Sequence, residues 1–261
     1  MRDRGIENQA PLRLTVCGKL AIEAGDLVLR ERELPARQGR RLWCYLVLER
    51  RRSCRRDELA EALWGDDAPD GWDTVLSGVM SRLRGTMKPL MQAVPGFELT
   101  GDTGGYHLQL PSNAFVDFER ARYGLHVAEA ALGREELPLA LSEARVALEI
   151  AARGFLQGEG LPWVELRRRQ LHAIQIHAAE CLAEGELRRN QPLRAEREAE
   201  ELLLIDPLNE TAYRIRMRSA SAMGNRAGII RSMTQCRELL ASLAGSTPSA
   251  ETERLYRELA E

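Results

Sequence analysis

The order of two residue periodicities constrains the fold of this chain more than any single motif does. Between residues 12 and 110, segments with alternating apolar residues are interleaved with segments whose apolar residues recur every three to four positions. The first pattern predicts half-buried β-strands, and the second predicts amphipathic helices. From residue 115 onward only the helical pattern occurs, interrupted by glycine and proline. The sequence therefore predicts a small α+β domain followed by an all-α domain.

The α+β part has a defined order of elements. The segments LRLTVCG, LAIEA and LVLRE predict strands over residues 12–18, 20–24 and 27–31. Amphipathic helices are predicted over about 38–50, 54–65 and 71–87, and FELTGDTGGYHLQL (97–110) predicts a hairpin with glycines at its turn. This strand–helix–helix–helix–hairpin order is that of a winged helix-turn-helix, in which the third helix enters the major groove of DNA.

The helical part shows a weak internal repeat. Aligning the segments around Asn190 and Gly224 gives an offset of 34 residues, which is the period of tetratricopeptide-like helical hairpins. An ordinary helical bundle is the alternative to these repeats. We predict a mixed, mainly α fold with a flexible N-terminus at 1–11, a winged-helix DNA-binding domain at 12–111 and a tetratricopeptide-like helical domain at 112–261.

Composition and motif content exclude several classes of function. The net charge of −2 excludes a chain that is basic throughout but permits a local basic patch. The chain contains no P-loop, GxSxG, HExxH or EF-hand pattern, and its five cysteines and four histidines lack metal-ligand spacing. We therefore expect a protein that is not an enzyme and uses no cofactor or metal. No secretory signal or transmembrane-length apolar run is found, so we expect a cytoplasmic protein with no membrane partner.

Arginines are concentrated around the first predicted helix. Residues 37–56 hold eight arginines and a single acidic residue, Glu49. A solvated charged face would explain such a cluster, and so would a surface that grips DNA phosphates. Its position within a winged-helix pattern favours the second explanation, with predicted phosphate contacts at Arg40, Arg41, Arg55 and Arg56.

The third predicted helix has an uncommon surface. Its segment VLSGVMSRLRG (75–85) contains no acidic residue, and it carries small polar residues at Ser77 and Ser81. A DNA-facing helix avoids carboxylates because they would repel phosphates, and small side chains allow a close approach to the groove. Arg82 and Arg84 have the length to reach phosphate or guanine. They point about 200° apart around the helix, so at least one of them serves as a backbone clamp or has an intramolecular partner.

Several motifs together resemble one known family. RDELAEALWGDDAP (56–69), SRLRG (81–85), GGYHL (104–108), VDFERA (116–121) and RGFLQGEGLPWVELRRRQL (153–171) occur in order, followed by a long match over 206–259. In these motifs the chain resembles transcriptional activators of the Streptomyces antibiotic regulatory protein (SARP) type. Those proteins join an OmpR-type winged helix to a bacterial transcriptional activator domain, and the resemblance spans nearly the whole chain after Pro11.

The resemblance implies a function and a set of contact residues. It implies binding to double-stranded promoter DNA as a tandem or homodimer on direct repeats, and recruitment of RNA polymerase. The OmpR-type pattern places DNA-facing positions at Thr74, Gly78, Val79, Ser81, Arg82 and Arg84, and in the wing at Thr100 and Asp102. The family commonly has a long polar or basic residue at the position of Thr74, a base-contacting side chain at that of Gly78, and arginine at that of Asp102. These differences predict weak DNA binding that depends on dimerisation, a ligand or a partner.

Two other functions stay open at the level of sequence. The first is a protein-interaction module whose winged helix is degenerate and does not bind DNA alone. The second is a sensor that binds an anionic small molecule of unknown identity through its helical half or its arginine-rich face. Trp163 and the neighbouring Arg167–Arg169 form either a contact surface for such a partner or the anchor of a long loop, and we favour the anchor.

Overall fold

The computed structural model describes residues 11–260, which form two compact units. The first unit comprises residues 11–119 and 153–169, and the second comprises 120–152 and 170–260. The flexible N-terminus expected at 1–11 lies outside the described residues except for Pro11. Residues 153–169, which the sequence pattern groups with the helical domain, belong to the first unit.

The first unit begins with a four-stranded sheet. Its strands are β1 (Arg13–Thr15), β2 (Ala21–Ala24), β3 (Leu27–Arg30) and β7 (Phe115–Val116), in the order β3-β2-β1-β7. Leu14 and Ile22 face each other across β1 and β2 and are fully buried. The three N-terminal strands lie within or close to the predicted segments and are shorter. The sequence pattern missed β7, because a two-residue strand is too short to show alternation.

Three helices follow and supply the core of this unit. They are α1 (Ala36–Glu49), α2 (Arg56–Trp64) and α3 (Trp72–Ala93). Leu42, Leu59 and Leu83 on their inner faces are fully buried. α3 extends six residues past the predicted end at Met87 and contains Pro89. Burial of Leu90 continues the apolar face through that turn and outweighs the hydrogen bond that proline cannot donate.

The predicted hairpin forms the second sheet together with a strand that was not predicted. β5 (Glu98–Gly101) and β6 (Gly105–Gln109) pair as a hairpin, and β4 (Cys54–Arg55) pairs with β6. Gly105 faces Arg55 in this pairing, and a Cβ atom at Gly105 would lie 2.2 Å from the Cys54 carbonyl oxygen. Only glycine therefore permits β4 to approach β6 so closely.

The second unit is helical throughout its described residues. Its chain runs through seven helices, the first and third of which begin in the first unit: α4 (Asp117–Gly133), α5 (Leu137–Ala151), α6 (Pro162–Arg188), α7 (Pro192–Ile205), α8 (Glu210–Ala222), α9 (Arg226–Leu239) and α10 (Ala250–Ala260). Fully buried alanines such as Ala183, Ala199 and Ala212 allow α6, α7 and α8 to pack closely.

The predicted repeat corresponds to two helical hairpins. Asn190 ends the turn before α7, and Gly224 occupies the matching place before α9. Both residues have left-handed backbone, with φ of 57° and 66°. Two turns of the same geometry therefore lie 34 residues apart, as expected for repeated helical hairpins. Within residues 11–260, no helix is both long and apolar enough to cross a lipid bilayer.

Candidate nucleic-acid interface

The candidate interface centres on the outer face of α3. Its inner face carries the buried residues Leu76, Met80, Leu83, Met87 and Leu90, which hold the helix against the core. The opposite face carries Thr74, Gly78, Ser81 and Arg82, of which all but the half-buried Gly78 are exposed. The only acidic residue of the helix, Asp73, lies in its first turn. This face combines small polar side chains with one long cationic side chain.

Arg56 holds the first turns of α3 in place. Its guanidinium donates to the Asp73 carboxylate at 2.6 Å, to the Asp73 carbonyl at 3.0 Å and to the Ser77 hydroxyl at 2.8 Å. It also donates to the Tyr106 hydroxyl at 2.8 Å and lies over the face of that ring. These contacts neutralise Asp73 and join the N-terminal turns of α3 to the hairpin. Hydrogen bonding by Asp73 raises the pKa of Arg56 above its ordinary value.

Arg84 ties the later part of α3 to the same hairpin. Its Nε donates to the Leu99 carbonyl at 2.9 Å, and its guanidinium lies 5.3 Å from the centre of the Tyr106 ring. Tyr106 is therefore flanked by Arg56 and Arg84, and cation–π contacts of this kind stabilise their arrangement. Arg82 has no ion-pair partner among the described residues and is exposed. The expected division between the two arginines of SRLRG is thus present, with Arg84 as the internal partner.

The hairpin turn is built around Asp102. Its carboxylate accepts the Gly104 N–H at 2.7 Å and the Gly105 N–H at 3.0 Å, and its own N–H donates to the Gly105 carbonyl at 3.0 Å. An aspartate that accepts backbone N–H groups just after it stabilises a tight turn. Asp102 therefore has a structural reason to replace the arginine expected from the family pattern. Thr100 is exposed beside it, and its hydroxyl donates weakly to the His107 carbonyl at 3.4 Å.

Carboxylates engage most of the arginine cluster of residues 37–56. Arg37 and Arg41 both bind Glu159, Arg40 binds Glu31 at 3.0 Å, Arg50 binds Glu119, and Arg52 binds Glu58. Arg55 pairs with its neighbour Asp57 at 3.2 Å but remains 75% exposed. Arg51 is exposed and has no ion-pair partner among the residues described. The cluster therefore serves mainly to build the unit: Arg37 and Arg52 are exposed but bind the carboxylates of Glu159 and Glu58, which leaves Arg51 and Arg55 as the exposed arginines without a partner beyond their immediate neighbours among the described residues.

The Arg52–Glu58 pair has a clear electrostatic signature. The hydrogen bond from Arg52 lowers the pKa of Glu58 to about 2, although burial opposes the charged form. The Tyr45 hydroxyl also donates to this carboxylate, at 2.5 Å. Glu58 of α2 is thus held ionised between two donors, Tyr45 of α1 and Arg52 of the loop that follows α1.

The structure places six of the predicted contact residues where their side chains have other roles: Ser77, Val79, Arg40, Arg41, Arg56 and Arg84. Ser77, Arg40 and Arg84 make the internal contacts given above. Val79 is 1% exposed and packs in the core, so its side chain is not available to DNA, contrary to the expectation from the resemblance. Arg41 is held by Glu159 and the Leu63 carbonyl, and its side chain is only 11% exposed. Arg56 is held by α3 and Tyr106, as described above. The predicted residues whose side chains remain exposed are Thr74, Ser81 and Arg82 on α3, Arg55 in β4, and Thr100 and Asp102 in the hairpin.

Two supporting residues escaped the sequence analysis. Glu159 is separated by 118 positions from Arg41, and no local pattern links the two residues. Tyr106 lies in the GGYHL motif, but its partners on α2 and α3 are set by tertiary packing. The one feature of the sequence that could have pointed to Tyr106 is its position: it is an aromatic residue in a hairpin that follows two helices with arginines.

Trp163 is an anchor, as favoured from the sequence. Its indole N–H donates to the Ala62 carbonyl near the end of α2 at 2.9 Å. Its ring also makes edge-to-face contacts with Tyr45 and Phe155, at centroid distances of 5.1 and 5.8 Å. The loop that precedes α6 is therefore fixed to α1 and α2 within the first unit, and Trp163 is engaged rather than presented as a contact surface.

The chain matches a protein-family model over its helical part. The model of the family described as bacterial transcriptional activator domain matches residues 116–260. This range covers more than half of the chain.

Two individual proteins are similar over most of the chain. The regulatory protein AfsR of Streptomyces coelicolor is 25% identical over 222 residues, which are 85% of this chain and 22% of AfsR. The solved structure of Mycobacterium tuberculosis EmbR, determined with a low-affinity phosphopeptide, superposes with a TM-score of 0.84 at 20% identity. That superposition covers 97% of this chain and 65% of the EmbR chain. The chain thus spans only part of both proteins, and the match to EmbR confirms the predicted fold class.

Proposed function

Because this chain belongs to the bacterial transcriptional activator domain family and is a SARP-type transcriptional regulator, we propose that it regulates transcription by binding promoter DNA through its first unit. In this proposal α3 is the recognition helix that enters the major groove, and the β5–β6 hairpin is the wing beside it. No catalytic step is needed for this function.

The outer face of α3 is the observation that carries the proposal. Thr74, Gly78 and Ser81 leave a shallow surface, Arg82 extends from it without an ion-pair partner, and Arg56 covers the carboxylate of Asp73. A helix that presents small groups and a guanidinium without acidic competition suits the major groove, where arginine binds guanine through O6 and N7. If this face did not bind an anionic partner, the exposed guanidinium of Arg82 would have no partner among the described residues.

The other residues of the proposed interface either contact DNA or hold α3 and the wing in position. We assign phosphate contacts to Arg51 and Arg55, with Thr100 as a wing contact. Arg51 is exposed in the loop before β4, Arg55 is exposed in β4, and Thr100 is exposed in β5. Arg56 and Arg84 act as positioning residues that set the angle between α3 and the wing through Tyr106. Phosphate contacts supply affinity and register, whereas contacts to base edges supply specificity.

The second unit is proposed to contact a second protomer or RNA polymerase. Leu193 and Leu204 on α7 are 72% and 79% exposed. They are 11 residues apart, which is about three helical turns, so both lie on one side of α7. Exposed leucines aligned on one helix provide apolar area for a protein partner.

An alternative function draws support from the paired arginines. Seven of the eight arginines between residues 37 and 56 have carboxylate partners, and Arg51 is the exception among the described residues. A first unit with so few available cations is also expected of an interaction module that does not bind DNA alone. This module would retain its protein partner when Arg82 is replaced.

Fluorescence anisotropy with labelled duplexes separates the two functions. The chain's own upstream region and a random duplex of equal length are each titrated at several salt concentrations. The proposal predicts tighter binding to the upstream region and a steep dependence of affinity on salt, because each neutralised phosphate releases counterions. Folded protein that binds neither duplex at low salt would instead support the interaction module.

A further inference from the structure

A cavity in the first unit carries basic side chains that the proposed DNA contact does not use. It has a volume of about 490 Å³ and lies between the β1–β2 turn, α1 and the α5–α6 loop, residues 153–161. The charged side chains that line it are Lys19, Glu31, Arg40, Arg153 and Glu159. Three chain segments that are distant in sequence therefore bring three cations to one concave site.

Both carboxylates of the cavity are already engaged. Glu31 accepts the Leu20 N–H at 3.2 Å and Arg40 at 3.0 Å. Glu159 accepts Arg37 at 2.7 Å and also binds Arg41. Counting these bound arginines, five basic side chains surround two carboxylates. The site therefore has an excess of positive charge.

Lys19 and Arg153 supply the unused part of that charge. Both are exposed, and neither forms an ion pair with a described carboxylate. Arg153 interacts electrostatically with the buried Asp117 without forming an ion pair, and the Asp117 carboxylate accepts the N–H groups of Val16 and Cys17 at 2.9 and 3.1 Å. Neither cation is therefore held in an ion pair, and both can donate to an anion that enters the cavity.

The loop wall of the cavity is held in a strained conformation. Leu156, which lines the cavity, has a φ of 38°, a value in the left-handed region that a leucine rarely adopts. Arg168 clamps this loop by donating to the carbonyls of Phe155 at 2.9 Å, Glu159 at 2.7 Å and Leu156. Backbone strain persists only where surrounding contacts enforce it, and it concentrates at ligand sites and switch regions.

We propose that this cavity binds a small molecule that carries at least two phosphate groups. Arginine matches phosphate with a planar fork of donors, and lysine adds a compact point charge. Lys19 and Arg153 offer one cation to each of two phosphate groups, and Gln157 on the rim offers a donor and an acceptor to the rest of the ligand. The volume is within the range of about 300–1,000 Å³ that small-molecule sites have.

The lining favours a soluble oligophosphate over the DNA backbone. No residue of α3 or of the β5–β6 hairpin lines the cavity. Arg40, which the sequence suggested as a phosphate contact on DNA, is the only predicted contact residue in the lining. A bound ligand would join the α5–α6 loop to α1 and the first sheet, so it would stabilise the part of the first unit that the loop completes.

Calorimetric titration of the full chain with inorganic pyrophosphate and with ATP tests the site. The double variant Lys19→Gln with Arg153→Gln removes two exposed charges without disturbing an ion pair. The matched control is Arg30→Gln with Arg32→Gln, two exposed arginines that do not line the cavity. We expect about tenfold weaker binding in the first variant, since two charge-assisted contacts are lost, and binding within twofold of the unaltered protein in the control.

The results of these titrations distinguish three kinds of phosphate ligand: inorganic oligophosphates, nucleotides and DNA. Equal affinity for pyrophosphate and ATP would support a site that recognises the phosphates alone, and tighter binding of ATP would support a nucleotide ligand. If neither ligand binds, the proposal is wrong. It is also wrong if the cavity variant binds both ligands normally but loses affinity for a DNA duplex, because the cations would then belong to the DNA surface. Duplex binding by the unaltered protein is measured separately, so failure of this site does not imply failure of DNA binding.

Discussion

Single side chains in the first unit have roles that their residue type alone does not reveal. Arginines equally prominent in the sequence serve three purposes: Arg41 completes the interior, Arg84 positions the wing, and Arg82 is exposed on the outer face of α3. The difference depends on which carboxylate or carbonyl the fold brings near each guanidinium. A charge pattern therefore identifies candidates for DNA contact, but long-range partners decide among them.

The ionisation of Glu58 is expected to link stability to pH. Its pKa in the folded protein is about 2, below the ordinary value of 4.5, because Arg52 donates hydrogen bonds to the carboxylate. A depressed pKa of an acid stabilises the fold above the ordinary value, and this contribution is lost as pH falls toward the folded value. Urea unfolding should show that Glu58→Gln lowers the free energy of unfolding at neutral pH, and that its deficit narrows between about pH 4.5 and 2.

Glu61→Gln is the matched control on the next turn of α2. Glu61 is exposed and has no ion-pair partner among the described residues, so its substitution should change stability little at any pH. A deficit of Glu58→Gln that stays constant as the pH falls would contradict the assigned pairing.

Asp102 combines a turn-forming role with an unfavourable charge. Asp102→Asn keeps an oxygen that accepts the Gly104 and Gly105 N–H groups but removes the charge, whereas Asp102→Ala removes both. We expect the asparagine variant to keep its stability and to bind DNA about fivefold more tightly at low salt, since a charge near a phosphate costs about 1 kcal/mol in water. The alanine variant should lose about 1 kcal/mol of stability with the turn. Unchanged DNA affinity in the asparagine variant would place the turn away from phosphates.

At the scale of elements, α3 is both a core helix and a proposed contact surface. Its buried face is regular, and the sequence periodicity was sufficient to predict the helix and its inner residues. The predicted end at Met87 was wrong because packing of Leu90 carries the helix past Pro89 to Ala93. β4 and β7, of two residues each, depend on pairing with distant strands, and short-range patterns contain no information about such pairing.

We expect glycine at position 78 to lower the stability of α3 while allowing DNA to approach the helix closely. An added Cβ would meet only the Arg82 guanidinium, at 3.7 Å, so the folded protein accommodates alanine there. Gly78→Ala should raise the free energy of unfolding by about 1 kcal/mol, the difference in helix propensity between the two residues. The same substitution should weaken specific DNA binding if the groove floor approaches the helix at this point. Urea unfolding and duplex anisotropy measure the two effects, and stronger specific binding in the alanine variant would contradict a close approach at Gly78.

At the scale of the whole molecule, the division into units differs from the order of patterns along the chain. Residues 153–169 follow the helical hairpin of α4 and α5 in sequence, yet they complete the first unit through Glu159, Trp163 and Arg168. A boundary near residue 111 was the natural inference, because strand patterns end there. Sequence periodicity predicts elements, but it does not show that a later loop returns to an earlier unit.

A fragment that ends at residue 119 is therefore expected to be unstable. It lacks Glu159, so Arg41 is left without its carboxylate, and it lacks Trp163, so the Tyr45 ring and the Ala62 carbonyl lose their partner. Removal of one member of a buried ion pair alone costs about 3–5 kcal/mol. Thermal unfolding of the fragment and of the full chain, followed by circular dichroism, makes the comparison. A fragment with the cooperative transition and midpoint of the full chain's first unit would show that residues 153–169 are dispensable.

The central claim is that the outer face of α3 binds promoter DNA, and Arg82 tests it most directly. Anisotropy of a labelled upstream duplex and a random duplex is measured for the unaltered chain, for Arg82→Ala and for Arg231→Ala, an exposed arginine of α9 that serves as control. The account predicts that Arg82→Ala loses about 1–3 kcal/mol of binding to the upstream duplex with less effect on the random one, while the control binds both normally. Equal affinity of all three proteins for the upstream duplex, or no binding by the unaltered chain, would contradict the account.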